Sequence, residues 1–354
     1  MRFVTLSTIN FASLICGAIA GIWSASRGAG VWALVIQQYA LGTSALILAV
    51  MSCPWKPSRP SKAARTKSML YMGVSQVGAD VLNYTNRNID NVLIGRFVSD
   101  AALGLYAQAY KLLLLPIQQV NTPLSAVAIP VLSRLRETPA RYAQAYYRAI
   151  GLITFLGMPL VYYLLVEADV IVNVLLGPQW VGTVPIFRAL GVAAIFGTFN
   201  VAWGWVYAST GTTGRQLKWQ IFSTPFNFLS FVLGLHWGVI GVAVAFSLTR
   251  IVLTVPSLSY CFKNTPIRLS TFLATVSKPL FSATLAAGAG YLTKLHFDGN
   301  KIEPALTAAA MFLGYIAAWL AIPGGRAQLV SITQTVAATF RAFRLRENAE
   351  SPAK

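Results

Sequence analysis

Gln76, Asp80, Asn83, Arg87 and Asp90 recur at intervals of four, three, four and three residues inside an otherwise apolar run. That rhythm places all five on one side of an α-helix, with Leu, Val, Ile and Tyr opposite. A charge near a bilayer centre costs about 2.5 to 3.5 kcal/mol on insertion scales, so such a stripe must face a bundle interior or a water-filled cavity. The chemistry on offer is passage and binding. Asp80 is the candidate for ion or proton coupling and Arg87 for holding an anion, while Asp90 stands at i, i+3 from Arg87 and could pair with it. A second stripe, Gln108, Lys111, Leu115 and Gln118, follows in the next apolar run and makes Lys111 available to Asp80 or to a ligand anion. Arg250 lies midway along a later run, too deep for easy snorkelling, and needs a carboxylate or an anionic ligand. Lys278 is near enough to its run's end to snorkel. The alternative for all these charges is a buried ion-pair network that only holds helices together.

The elements that must position these residues are membrane spans. The 354 residues are 56% hydrophobic and 11% charged, with a mean hydropathy of +0.60. Soluble domains are about 25% charged, so the composition is that of an all-α, polytopic membrane protein. The formal charge of +18 does not indicate nucleic acid, because the basic residues sit in short loops between apolar runs rather than on one soluble surface. A span needs about 20 apolar residues. Ten candidates are legible, at 4–25, 30–52, 69–94, 102–126, 149–166, 184–208, 219–235, 238–262, 271–292 and 304–323. With the N-terminus in the cytoplasm, 19 of the 28 Lys and Arg fall on the inner side and only Arg27, Arg96, Lys294 and Lys301 outside. The positive-inside rule then predicts both termini cytoplasmic. Five cations against Asp80 and Asp90 within the spans make the interior net positive, which favours an anionic passenger over a cationic one.

No catalytic, metal or cofactor pattern emerges. Cys16, Cys53 and Cys261 are isolated, and so are His236 and His296. There is no phosphate-binding loop, so transport would not be driven by ATP bound to this chain. Glu167 and Asp169 precede an apolar, Trp-containing stretch from Leu175 to Trp180 that is expected to rest at the external interface, and both acids are expected to be solvated. Paired acids on long loops are lacking, which argues against an enzyme.

The Pro- and Lys-rich stretch 54–68 is the clearest internal boundary, a basic cytoplasmic loop. The second run opens Gly28, Ala29, Gly30, Val31 and the eighth opens Gly238, Val239, Ile240, Gly241, small residues that allow close approach after a tight turn. This echo divides the chain into 1–53, the last two helices of a first lobe; 69–262, an intact six-helix lobe; 263–324, two appended helices; and 325–354, a basic amphipathic tail on the inner leaflet.

The stretches RNIDNVLIGRF (Arg87 to Phe97), LGLYAQAYKLLLLPI (Leu103 to Ile117), IPVLSRL (Ile129 to Leu135) and LLGPQWVGTVPIFRAL (Leu175 to Leu190) together resemble bacterial polysaccharide-transport flippases. That family belongs to the multidrug, oligosaccharidyl-lipid and polysaccharide exporter superfamily. The resemblance implies two six-helix lobes around a cavity and translocation of undecaprenyl-diphosphate-linked oligosaccharide across the bacterial inner membrane by alternating access. It implies that Arg87, Lys111 and Arg250 hold the diphosphate, and it admits polysaccharide polymerase or chain-length proteins as partners. Family members begin with several more helices, so the expectation is an N-terminally truncated flippase, active or not. The competing readings are an ion-coupled exporter of small molecules and a non-transporting membrane partner of polysaccharide-assembly proteins.

Overall fold

A computed structural model describes residues 3–52, 81, 84–85, 88–297, 299, 302–322 and 325. The described residues are helical, with no strand among them, and backbone packing divides the chain into two units, Met1–Met72 and Gly73–Lys354. Among the described residues, seven stretches are long and apolar enough to cross a membrane. One of these, Gly214–Phe262, is two helices joined through a short 3-10 turn.

The first unit is an antiparallel hairpin of α1 (Phe3–Ser26) and α2 (Trp32–Ser52). Gly17 and Gly21 form a one-turn pair facing α2: a Cβ on Gly17 would stand 3.0 Å from Leu41 Cβ, and one on Gly21 3.1 Å from Gln37 Cβ. Small residues at this spacing let two backbones approach where lipid supplies no hydrophobic drive. Ser13 and Ser24 are buried and return their hydroxyls to backbone carbonyls one turn back, so neither is left unsatisfied.

The second unit begins, among the described residues, with a helical segment at 88–97 and continues through α3 (Asp100–Arg134), α4 (Pro139–Val166), the short α5 (Ala168–Leu176), α6 (Thr183–Thr210), α7 (Thr213–Gly234), α8 (Gly238–Phe262), α9 (Leu269–Phe297) and α10 (Glu303–Ala321). Several helices outrun the apolar spans read from sequence. The helix predicted over 102–126 continues to Arg134, and that predicted from 149 starts at Pro139. Hydropathy marks only the part suited to lipid, whereas the backbone keeps its hydrogen bonds through the flanking basic turns. α3 starts on a capping bond, Ser99 Oγ accepting from Ala102 N–H at 3.1 Å, and contains Pro116, Pro123 and Pro130 without ending. α5 occupies part of what reads in sequence as a loop.

Two buried layers stack along the helix axes. One gathers Tyr106, Phe187, Phe231 and Phe246; the other gathers Tyr146, Trp205, Phe272 and Trp319. α3, α4, α6 and α8 pass through both layers, which fixes their register against one another. α9 and α10 pack mainly on each other and on α4. The closest backbone approach is between α7 and α8. Gly238 turns the chain with φ 67, and a Cβ on Gly234 would stand 2.7 Å from Gly241 O. A Cβ on Gly241 would collide with Gly234 O and Trp237 Cβ. Gly241→Leu is therefore expected to lower folded stability by about 1–3 kcal/mol through overpacking, read as a lower melting temperature in detergent. Unchanged melting would show that this approach is not required.

Candidate functional site

Three helices present polar stripes to one another. α6 contributes Asn200, Trp203 and Tyr207, and α7 contributes Gln216, Trp219, Gln220, Ser223 and Asn227. α8 contributes Arg250, Leu253, Thr254 and Ser257. In each helix the residues recur at i, i+3, i+4 and i+7 or a subset of these, apart from Asn227 one turn further on α7, so every stripe is one helical face. Together they enclose a cavity of about 260 Å³, with Arg250 the one charged residue in its lining among the described residues.

Arg250 is half-buried and holds its guanidinium 4.9 Å from the centroid of the Phe246 ring. Cation–π contact of this kind is worth about 0.5–2 kcal/mol, more as water is excluded. Phe246 is itself fixed by stacking on Phe231, centroids 5.9 Å apart, and by an edge contact from Tyr110 at 6.3 Å. On the helical segment before α3, Asp90 is 5% exposed and lies within electrostatic range of Arg250. It accepts hydrogen bonds from the Tyr106 hydroxyl at 2.8 Å and from Asn91 N–H at 2.9 Å.

Of the sequence candidates, Gln76, Asp80, Asn83 and Arg87 lie outside the described residues. Arg250 lines the cavity and Asp90 lies within electrostatic range of it without an ion pair to it among the contacts described; Lys111 does not line the cavity. It is exposed on α3, and the exposed Gln118 and the half-buried Gln108 are likewise absent from the lining. The α6 and α7 contributions were missed, although Gln216, Gln220, Ser223 and Asn227 step by four, three and four. Uncharged amides weigh little in a charge-led reading, and that spacing was the available signal.

A second polar cluster ties the last two helices to the rest of the unit. Lys294 Nζ of α9 stands 2.7 Å from Asp169 Oδ1, 3.3 Å from Glu167 Oε2 and 3.9 Å from Glu303 Oε1. It also donates to the Val166 carbonyl at 3.1 Å, and Arg188 bridges Asp169 at 3.1 Å. The expectation that both Glu167 and Asp169 are solvated is therefore wrong for Glu167, whose side chain is 0% exposed. The Lys294 ammonium compensates a carboxylate that could not otherwise be buried. A cavity of about 410 Å³ opens beside Asp169, Arg188 and Lys294.

Burial pushes the Asp169 carboxyl up, but the Lys294 hydrogen bond and the charges of Lys294 and Arg188 overcome it and hold the group below its ordinary value. Its ionised form therefore stabilises the fold above about pH 3.9, and that contribution is lost as pH falls through the lower folded value. The effect is small because Asp169 is 47% exposed. Lys294→Met is the larger perturbation, since it leaves Glu167 buried without a counter-charge. It should destabilise by about 3–5 kcal/mol, and Glu167→Gln in the same background should recover part of the lost melting temperature. A Lys294→Met protein that melts like wild type would remove the cluster's structural role.

The family profile of polysaccharide biosynthesis proteins matches residues 1–185, and the chain belongs to that family. Teichuronic acid biosynthesis protein TuaB of Bacillus subtilis (strain 168) is 25% identical over 295 residues, 80% of this chain and 60% of TuaB. Lipopolysaccharide biosynthesis protein WzxC of Escherichia coli (strain K12) is 21% identical, covering 62% of this chain and 44% of WzxC. Succinoglycan biosynthesis transport protein ExoT of Rhizobium meliloti (strain 1021) is 22% identical, covering 54% and 39%. The chain thus spans 60% or less of the length of each of these relatives. The solved structure of lipid II flippase MurJ in an inward closed conformation shares the fold, with a TM-score of 0.66 at 17% identity over 86% of this chain and 65% of that one. The chain is a multi-pass membrane protein of this helical fold.

Proposed function

We propose that the chain acts as a flippase for lipid-linked oligosaccharide. It would move undecaprenyl-diphosphate-linked units across the bacterial cytoplasmic membrane by alternating access, in exopolysaccharide or lipopolysaccharide synthesis. The observation that carries this reading is Arg250. A guanidinium held in the middle of a membrane helix, at the rim of a polar cavity, is the arrangement an anionic headgroup needs. The relatives named for lipopolysaccharide biosynthesis and succinoglycan transport support the same passenger chemistry, and the helical fold shared with MurJ is compatible with it.

In this reading Arg250 binds the diphosphate, while Arg87 and Lys111 are cations of the wider path and Asp80 is the coupling carboxylate. The lobe spans 69–262 with 263–324 appended, 1–53 closes a first lobe, and both termini are cytoplasmic. The chain performs translocation without bond-making chemistry, so it is not an enzyme, and polymerase or chain-length proteins are its expected neighbours.

Hydrogen bonds to charged groups contribute about 1.5–3 kcal/mol, so Arg250→Gln should reduce export of surface polymer roughly ten- to a hundredfold. Arg250→Lys keeps the charge but loses the planar fork and should fall between Gln and wild type. The measurement is surface polysaccharide per unit of membrane-inserted protein, in cells lacking other exporters of the same polymer. Full export by Arg250→Gln at matched protein level would overturn the assignment.

A further inference from the structure

The cavity beneath Arg250 has more built into it than a phosphate group requires. Beyond the guanidinium its lining carries four carboxamides, Asn200, Gln216, Gln220 and Asn227, two indoles, Trp203 and Trp219, and no carboxylate among the described residues. A diphosphate is answered by cations and N–H donors, and indole faces and amide oxygens add nothing to that. A sugar ring asks for this combination. Its C–H faces pack on aromatic rings, and its hydroxyls, each both donor and acceptor, match carboxamides that present both functions side by side.

We infer that this cavity is a sugar-selecting pocket, which takes one pyranose ring of the passenger while Arg250 holds the anionic group beside it. The inference rests on the flippase reading and adds to it the part of the passenger that sets specificity. Size supports one ring. At about 260 Å³ the cavity lies just below the range of roughly 300–1,000 Å³ usual for small-ligand sites. One polar atom in the lining also lacks a partner: Asn200 Oδ1 is buried with no hydrogen bond among the described residues. Buried polar atoms are nearly always satisfied, and a ring hydroxyl in the cavity would be a donor for it once the amide turns inward. The two indoles differ in support. Trp219 is braced by stacking on Tyr260, centroids 5.4 Å apart, while no ring among the described residues packs on Trp203. Trp203 is therefore the indole available to a sugar.

The test uses the full chain in lipid nanodiscs and two families of soluble-chain probes. One is farnesyl diphosphate without sugar; the other is farnesyl diphosphate carrying a single glucose, galactose or N-acetylglucosamine, with affinities read by calorimetry. The wild type should bind one sugar-bearing probe at least about tenfold tighter than the sugarless one. Trp203→Ala and Gln220→Ala, tested separately, should each erase most of that preference, read as the ratio of sugar-bearing to sugarless affinity. Trp203→Phe should keep it, which separates ring contact from a folding defect. Arg250→Gln should weaken both probes alike. Equal binding of sugarless and all sugar-bearing probes, still dependent on Arg250, would overturn the pocket and leave the flippase reading standing. So would a sugar preference that survives both alanine variants. Failure of every probe to bind would overturn both.

Discussion

A bilayer interior offers no hydrogen-bond partner, so every polar group taken into it must be answered by another part of the protein. The arrangement of the second unit follows from that constraint. Arg250 lies over the Phe246 face with Asp90 in range, and Asp90 is in turn held by the Tyr106 hydroxyl. Hydroxyls inside the apolar helices close on their own backbone: Thr154 on Ile150 O at 2.7 Å, Thr254 on Arg250 O at 2.6 Å, Thr284 on Leu280 O at 2.8 Å. Where a carboxylate is wholly enclosed, as Glu167 is, a lysine from a distant helix reaches it.

The same medium removes the hydrophobic drive between helices, so their association depends on fit and on polar contacts. Fit is most exacting where glycine meets backbone, at Gly234 and Gly241 between α7 and α8. That pair joins the same two helices that carry Gln220 and Thr254 of the cavity lining. The three prolines of α3 fit this picture, since each withholds an N–H from a carbonyl one turn back and yet the helix runs 35 residues. Neighbouring helices hold it in line, as its contacts with α4 and α6 indicate.

Helices, their rough extents and the depth of Arg250 were legible in the sequence because hydropathy and charge are local properties. The turn glycines were legible for the same reason: Gly28, Gly30 and Gly238 all take positive φ. Pairings across the chain were not. Lys294 and Glu167 are 127 residues apart, and Tyr106 and Asp90 sit on different helical segments, so no spacing rule connects them. Lys294 reads as an ordinary external lysine until α9 is seen to pack on α4. The cavity itself was half legible. Its cation stood out against an apolar run, while its amides blended into helices of unremarkable composition and gained meaning only when three faces met.

Asp90 gives Arg250 a reason to persist whether or not a ligand is present. A guanidinium that answered only to a passenger would be left bare inside the membrane on every release, and uncompensated buried charge is among the largest penalties a protein meets. With a carboxylate in electrostatic range and an aromatic face beneath it, Arg250 has partners in the empty cavity. An arriving anion then competes for the guanidinium instead of rescuing it, so the net gain on binding is a difference between two satisfied states. Under the proposed function that small difference would suit a carrier that must release what it binds, and would leave discrimination to the uncharged part of the cavity. On the proposed reading, amide oxygens and indole faces gain little from an anion and much from a matched ring, so specificity and release would be served by different residues of the same site.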